Sequence, residues 1–552
     1  MSAAKNSAAK SSSAPKSASR STTAESSAQH GVAPHLASGG SQRTRGPVRI
    51  VDTSVRDGNQ SLWAALGVTT GMVEAVGPLL EAMNLQAIDF TSSTHLSMGV
   101  KFHQENPWER VSRMRAVTPN TPLAAITTGM RFMSWEKASE PVFRMSLRLL
   151  ARHGLRRLQI AEPMNDVEAT MKVARWAKEE GIEQVVAGVV FTESPVHTDE
   201  RYLANTRAYA ADPNIDIIYL KDPGGLLTDE RVRDLIPPMR EITANKILEL
   251  HSHCTTGAAS QLYLTAAQLD VDVLHTGLGP LSNGTAQPSL ENLLDNLDAM
   301  GIAVDVNRDA AAAAAEMLWS FAKAQGLKPG APTEYDLSTH VHQVPGGMIG
   351  TLKRQLTEIG MIDELPAVMA EASRVRADLG YPIMVTPFSQ FVGSQALMNV
   401  LALKSGQERY SRIPDEVLRF VLGHFGTPEG PINPDILQRV ADMPRTAELE
   451  VHVEEKSLKE LHAEYAEKFG RTLDEEELML RMVLPQDQVD TMFAAGPAPK
   501  WTGKKSSSTG AAGTASNVSE FITAVNELPK WRSIAVNFAG ESVSLRRDSE
   551  GK

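Results

Sequence analysis

From Val48 onward, short apolar runs alternate with amphipathic stretches over about 250 residues, the span of one closed α/β barrel. Eight of these runs are read as strands: Val48–Asp52, Ala87–Phe90, Leu123–Ile126, Leu158–Ala161, Val185–Phe191, Ile215–Leu220, Ile247–Leu250 and Val271–Leu274. Between them lie segments such as Met164–Glu180 and Thr228–Thr243, with an apolar residue near every third or fourth place. That spacing puts one stripe of each segment against a sheet. Eight strand-then-helix units predict an α/β fold, a (β/α)8 TIM barrel over residues 48–305. A doubly wound open sheet would carry a Gly-rich phosphate turn after its first strand, and VDTSVRDGNQ is not one.

Beyond residue 305 the strand signals fade. Ala310–Lys323, Glu364–Leu379 and Pro414–Phe425 read as helices, predicting a C-terminal mainly helical domain over 306–493. Its last part is acidic and helical, as in SLKELHAEYAEKF. Residues 494–516, rich in Gly, Ser and Ala, read as a flexible linker. Residues 517–552 read as a small docking element: a helix in SEFITAVNEL, then SIAVNFAGESVSLRR as a hairpin turning at Gly540. At the other end, residues 1–47 are rich in Ser, Ala and Lys, with Glu25 the only acid and no apolar periodicity. Such a segment buries too little surface to offset its ordering entropy, which predicts a disordered tail. An organellar transit peptide is also Ser-rich and acid-poor, but no amphipathic face is visible here.

Composition narrows the function classes. With 552 residues, 42% of them hydrophobic and 22% charged, the chain has the make-up of a large soluble protein. A formal net charge of -11 argues against nucleic acid as a partner, because a phosphate backbone needs a basic face. Cys254 is the only cysteine, which excludes an intrachain disulfide and a Cys-rich zinc site and fits a cytoplasmic protein. No apolar run approaches the ~20 residues that span a bilayer.

The candidate chemistry lies at the carboxyl ends of the strands, which in a parallel barrel all open into one mouth. Asp57 is read as ending strand one, Lys221 ends strand six, and His251 and His253 end strand seven. In an extended segment side chains two apart point the same way, so the two imidazoles can face one ion. Oxygen and imidazole donors without sulfur suit Mn, Zn or Co. A lysine facing a metal is repelled unless neutral or altered. Carbamylation by CO2 would turn it into an oxygen ligand, and a snorkelling surface lysine is the alternative. A second HxH, His340 and His342, falls outside the barrel and is read as structural hydrogen bonding.

Nine motifs in order then carry a resemblance: DTSVRDGNQSL, ENPWERV, TESPVHT, LKDPGGLL, HSHCTTG, GTAQPSLENL, HQVPGGM, VTPFSQFVGSQALMNVL and EEELMLRMVLP. From about residue 48 to 493 the chain resembles the carboxyltransferase component of biotin-dependent enzymes, which includes the oxaloacetate decarboxylase α subunit, the transcarboxylase subunit and the central domain of pyruvate carboxylase. The resemblance implies a divalent metal on Asp57, carbamylated Lys221, His251 and His253, and a funnel completed by the helical domain. It implies that Thr386 relays a proton, that Gln60 steadies an enolate oxygen, and that Ser389 and Gln390 contact biotin. The acceptor would be a small 2-oxo acid or a related molecule. The sequence has no Met-Lys-Met biotinyl motif. Biotin is therefore expected on a separate carrier protein, with a biotin carboxylase subunit as a further partner and homo-oligomers as in relatives.

Three departures stand out. Members acting on pyruvate carry a carboxylate-clamping arginine at strand three, where this chain has Leu123, Ala124 and Ala125; Arg131 is the nearest substitute. The run after strand two is replaced by DFTSSTHLSMGV, and at strand eight His275 stands where an acid is expected. The strand-two and strand-three departures keep open a biotin-independent metal-dependent lyase or aldolase on the same barrel; a further alternative is a non-catalytic scaffold, against which the intact Asp57, Lys221, His251 and His253 speak.

Overall fold

The structure is a computed structural model that describes residues 43–132, 138–449 and 456–503, and two short strands at 533–538 and 541–546. Most of the expected N-terminal tail, the linker from residue 504 and the SEFITAVNEL helix lie outside the described residues. Residues 43–45, counted in that tail, are held: Arg43 donates to the carbonyls of Ala267 (3.0 Å) and Val271 (2.7 Å), and Arg45 pairs with Asp272.

Eight parallel strands close into a barrel in sequence order: β1 (Arg49–Asp52), β2 (Ala87–Ser92), β3 (Leu123–Thr127), β4 (Arg157–Ile160), β5 (Gln184–Val190), β6 (Ile217–Asp222), β7 (Ile247–Ser252) and β8 (Val273–Thr276). The seam pairs β1 with β8, Asp52 opposite Thr276. Strands such as β2 and β6 are buried along their whole length, because helices cover the outside and side chains fill the inside. Helix Glu140–Arg152 shows how the outer layer forms. Val142, Phe143, Met145, Leu149 and Leu150 face inward, while Arg144, Arg148 and Arg152 reach out to Glu180 and Glu475. Thr228, expected as a first helical residue, is instead the cap: its hydroxyl accepts the Arg231 amide at 3.2 Å, and the helix runs Asp229–Thr243.

Helices Gly346–Glu358, Leu365–Asp378, Phe388–Lys404, Asp415–Val421 and Pro434–Ala441 share a separate apolar core centred on Phe388, Phe391, Phe420 and Phe425. Helices Arg308–Gln325 and Glu475–Val483 pack into the barrel's own core, and the Trp108 indole donates to the Glu476 carbonyl at 3.2 Å. The segment before helix Phe388–Lys404 positions the site. Ile383 is buried inside the barrel against Ala161, Val186, Val190, Ile217 and Tyr219. The Arg376 guanidinium fastens that segment to the exit of β5, donating to Pro382 O, Glu193 O and Thr192 Oγ1, each at 3.0 Å. At the C-terminal end β9 (Ser533–Phe538) and β10 (Glu541–Arg546) pair antiparallel, Phe538 opposite Glu541. Among the described residues no helix is long and apolar enough to cross a membrane.

Candidate metal centre

Asp57 does not lie on β1 but in the single wide helical turn Ser54–Gly58 that follows it. Asp52 shapes that turn, accepting the Ser54 hydroxyl (2.7 Å) and amide (3.1 Å), and the Ser54 hydroxyl in turn accepts the Leu278 amide at 2.8 Å. A side chain on Gly58 would collide with the Leu281 carbonyl, so only glycine lets the turn sit this close to the Gly279–Leu281 turn after β8. The neighbouring Arg56 is buried in an ion pair with Asp89 and lies 3.0 Å from Asp57.

Lys221 and His251 are register partners on β6 and β7. Next to Lys221, Asp222 points the other way and accepts the Leu226 and Leu227 amides, which folds back the DPGG turn. His253 follows two places after His251, on the same side. The result is convergence: one donor atom each from Asp57, His251 and His253 lies within 4.8 Å of the others. His251 Nε2 is 3.1 Å and His253 Nε2 3.5 Å from Asp57 Oδ2, and Lys221 Nζ is 3.0 Å from His251 Nε2. All four sequence-predicted ligands are therefore neighbours.

These groups suit a cation. Asp57 Oδ2 is buried and accepts no hydrogen bond. The His253 Nδ1–H donates to the Thr285 carbonyl at 2.6 Å, which leaves the Nε2 lone pair facing Asp57. Burial alone would raise the Asp57 carboxyl, but the Arg56 guanidinium 3.0 Å away holds it well below the usual carboxylate range. Burial, with Lys221 beside it, keeps His251 neutral far below the usual imidazole range. Burial also brings the Lys221 amine down to about 8, against the pull of Asp57, so about a tenth of it is uncharged at pH 7, far more than for an ordinary lysine. An uncharged amine is the form that attacks CO2. Gln287 was missed as a candidate although it lies in the GTAQPS motif. Its amide nitrogen is 3.1 Å from His253 Nε2 and 3.3 Å from His251 Nε2, and Thr53 anchors its oxygen at 2.8 Å.

Thr386, Ser389 and Gln390 form a second group at the start of helix Phe388–Lys404, brought to the barrel by Ile383. Gln390 donates to Thr386 Oγ1 at 3.1 Å and accepts from Ser389 at 3.3 Å. Gln60 accepts the Ser92 hydroxyl at 3.2 Å, and its neighbour Ser61 reaches Asp57 at 3.1 Å. His340 pairs with Glu193 at 2.9 Å, and His342 accepts the Val344 amide at 3.0 Å. Arg131 is buried at the junction with the helical domain, donating to the carbonyls of Thr128 (2.6 Å) and Phe425 (3.1 Å).

Beside Arg131, burial pushes Glu162 up to about 7, although it accepts the Met164 and Asp166 amides. An unfolded glutamate titrates near 4.3. Between these values the folded chain must hold a proton that the unfolded chain has lost, so this position destabilises progressively as pH rises to 7. Glu162→Gln keeps an oxygen for both amides. Its Tm is expected to match wild type near pH 4 and to exceed it above pH 7, by the equivalent of up to ~3 kcal/mol. Thermal unfolding across that range checks this, and a difference independent of pH would contradict it.

Comparison with known proteins decides the family. A family profile described as HMGL-like matches residues 47–318, and one described as a conserved carboxylase domain matches 339–534. The chain is 32% identical to a pyruvate carboxylase subunit of Methanocaldococcus jannaschii over 466 residues, covering 82% of this chain and 79% of that one. This chain belongs to the family of biotin-dependent carboxyltransferase subunits. Within the family it is also 27% identical to the large subunit of 2-oxoglutarate carboxylase from Hydrogenobacter thermophilus, over 82% of this chain and 69% of the relative. The carboxyl transferase domain of Rhizobium etli pyruvate carboxylase, solved with pyruvate, superimposes with a TM-score of 0.72 at 22% identity, covering 82% of this chain and 78% of that one. That likeness extends the shared fold to both the barrel and the helical region.

Proposed function

We propose that this carboxyltransferase moves CO2 between carboxybiotin, presented by a separate carrier protein, and a small-molecule acceptor at the barrel mouth. The observation that carries it is the meeting of Asp57, Lys221, His251 and His253 in a barrel whose interior also receives Ile383, three residues before Thr386. Lys221, capped by CO2, would join the carboxylate and the two imidazoles in holding Mn, Zn or Co. An ion there would supply Lewis-acid stabilisation for negative charge developing on the acceptor's oxygen. Thr386, whose hydroxyl both donates and accepts, takes the proton from the acceptor carbon and passes it to the ureido nitrogen as its N–CO2 bond breaks. The carbon freed of its proton then bonds to the released CO2. Ser389 and Gln390 orient biotin, and Gln60 steadies the acceptor. A biotin carboxylase subunit completes the enzyme as a further partner, and the setting is cytoplasmic, in keeping with a lone cysteine.

The acceptor is a molecule other than pyruvate, bulkier or lacking a clamped carboxylate. Ala124 and Ala125 on β3 offer no cation, and Arg131 directs its guanidinium to two backbone carbonyls. Losing a bidentate arginine removes roughly 1.5–3 kcal/mol of charge-assisted binding. A reconstituted assay with biotinylated carrier and a panel of oxo acids and thioesters tests this. The expected result is turnover of a thioester or larger oxo acid and little with pyruvate; robust pyruvate or oxaloacetate turnover removes the claim.

A further inference from the structure

His275 occupies the strand-eight position where an acid was expected, and the acid is found one strand away. His275 Nε2 lies 2.9 Å from Glu249 Oε2 on β7, and the same oxygen pairs with the Arg157 guanidinium from β4. The other ring nitrogen, His275 Nδ1, lies 3.1 Å from His251 Nδ1. His251 then presents Nε2 to Asp57. Arg157, Glu249, His251 and His275 are all fully buried in the barrel interior. The Tyr219 ring lies flat against His275, 5.9 Å between centroids at 14°, while the two imidazoles meet nearly edge-on at 80°. The ring of His275 is thereby held in one orientation.

We propose that Glu249 and His275 are positioning residues that fix the tautomer and aim of His251 for metal binding, with Arg157 as their anchor. The assignment of protons follows from donor and acceptor rules. A carboxylate paired with an arginine only accepts, so His275 Nε2 donates to Glu249. A neutral imidazole has one N–H, so His275 Nδ1 is an acceptor. His251 Nδ1 must then be the donor, and its lone pair is left on Nε2, on the side of Asp57 and His253. His253 reaches the same state by a different route, through the Thr285 carbonyl. Buried partners of this kind orient metal-ligating histidines and raise their basicity. The relay rests on the metal reading of Asp57, Lys221, His251 and His253.

The test compares His275→Phe with His275→Asn in the full chain, titrated with Co(II) in bicarbonate buffer and followed by its visible absorption and by chelator competition. Phenylalanine keeps the stack on Tyr219 but gives His251 no acceptor. Asparagine restores an acceptor oxygen close to where Nδ1 stood. The expected result is 10–100-fold weaker Co(II) binding and an altered spectrum for His275→Phe, with affinity and spectrum largely recovered in His275→Asn. Circular dichroism and Tm confirm that each variant is folded. If His275→Phe fails to fold, His275→Leu, which likewise offers His251 no acceptor, is set against His275→Asn in its place. Equal affinity and spectra in wild type and variants, or equal loss in both His275 variants, overturn the relay while leaving the metal site standing. A wild-type chain that takes up no Co(II) overturns the relay and the metal reading together.

Discussion

Replacing Lys221 by alanine or by arginine is expected to lower carboxyl transfer by about a thousandfold, the scale of losing one preorganised electrostatic contact in a closed site. The two substitutions separate the readings of this residue. Arginine keeps a positive charge but cannot be capped by CO2. If Lys221 acted as a cation toward the substrate, arginine would retain much of the rate. If it acts as an oxygen ligand, both variants fail alike and both lose metal. Its place supports the second reading: a buried amine 3.0 Å from His251 Nε2, on the strand next to that imidazole, facing the Asp57 carboxylate. Short carboxylic acids added to Lys221→Ala should restore part of the activity by filling the space with an oxygen donor. Metal content by elemental analysis, with steady-state rates, checks this. An arginine variant with full metal and near-normal turnover would falsify the carbamylated ligand.

Thr386→Ala carries the second large effect, through a different step. Removing a proton relay typically costs 10²–10⁴-fold in rate. Because Thr386 belongs to the group with Ser389 and Gln390, metal binding should stay intact while turnover falls. Thr386→Ser retains a hydroxyl for Gln390 to donate to and should keep most of the rate, slowed only by its looser rotamer. The measurement is carboxyl transfer by both variants with carrier protein saturating. An alanine variant above a tenth of the wild-type rate would end the role assigned to Thr386.

The reach of sequence reading differs between these two groups for a physical reason. His251 and His253 declare their shared side because strand side chains alternate, a rule that holds within a few residues. Glu249 obeys the same rule and could have been picked from LELHSH as a third interior position. Its partners could not, because His275 and Arg157 come from β8 and β4, and only the closure of the barrel sets them opposite it. Arg131 shows the reverse case. It qualifies as a clamp by charge and position, yet its guanidinium ends on the Thr128 and Phe425 carbonyls, the latter supplied by a helical region far along the chain. Asp57 was expected at a strand end and instead hangs from a turn beyond β1. The Ser54 hydrogen bonds and the close approach at Gly58 direct that turn, and neither has a periodic signature.

By itself the sequence determined the eight strands, their order, the nine motifs and the parity that puts two imidazoles on one side, all products of short-range stereochemistry. The tertiary structure alone decided that Asp57 swings to within reach of both histidines, that Ile383 draws Thr386 to the barrel, and that Glu249 stands behind His251 through His275. Those choices depend on the register between strands and on packing between distant segments. No local pattern of apolar and polar residues encodes either.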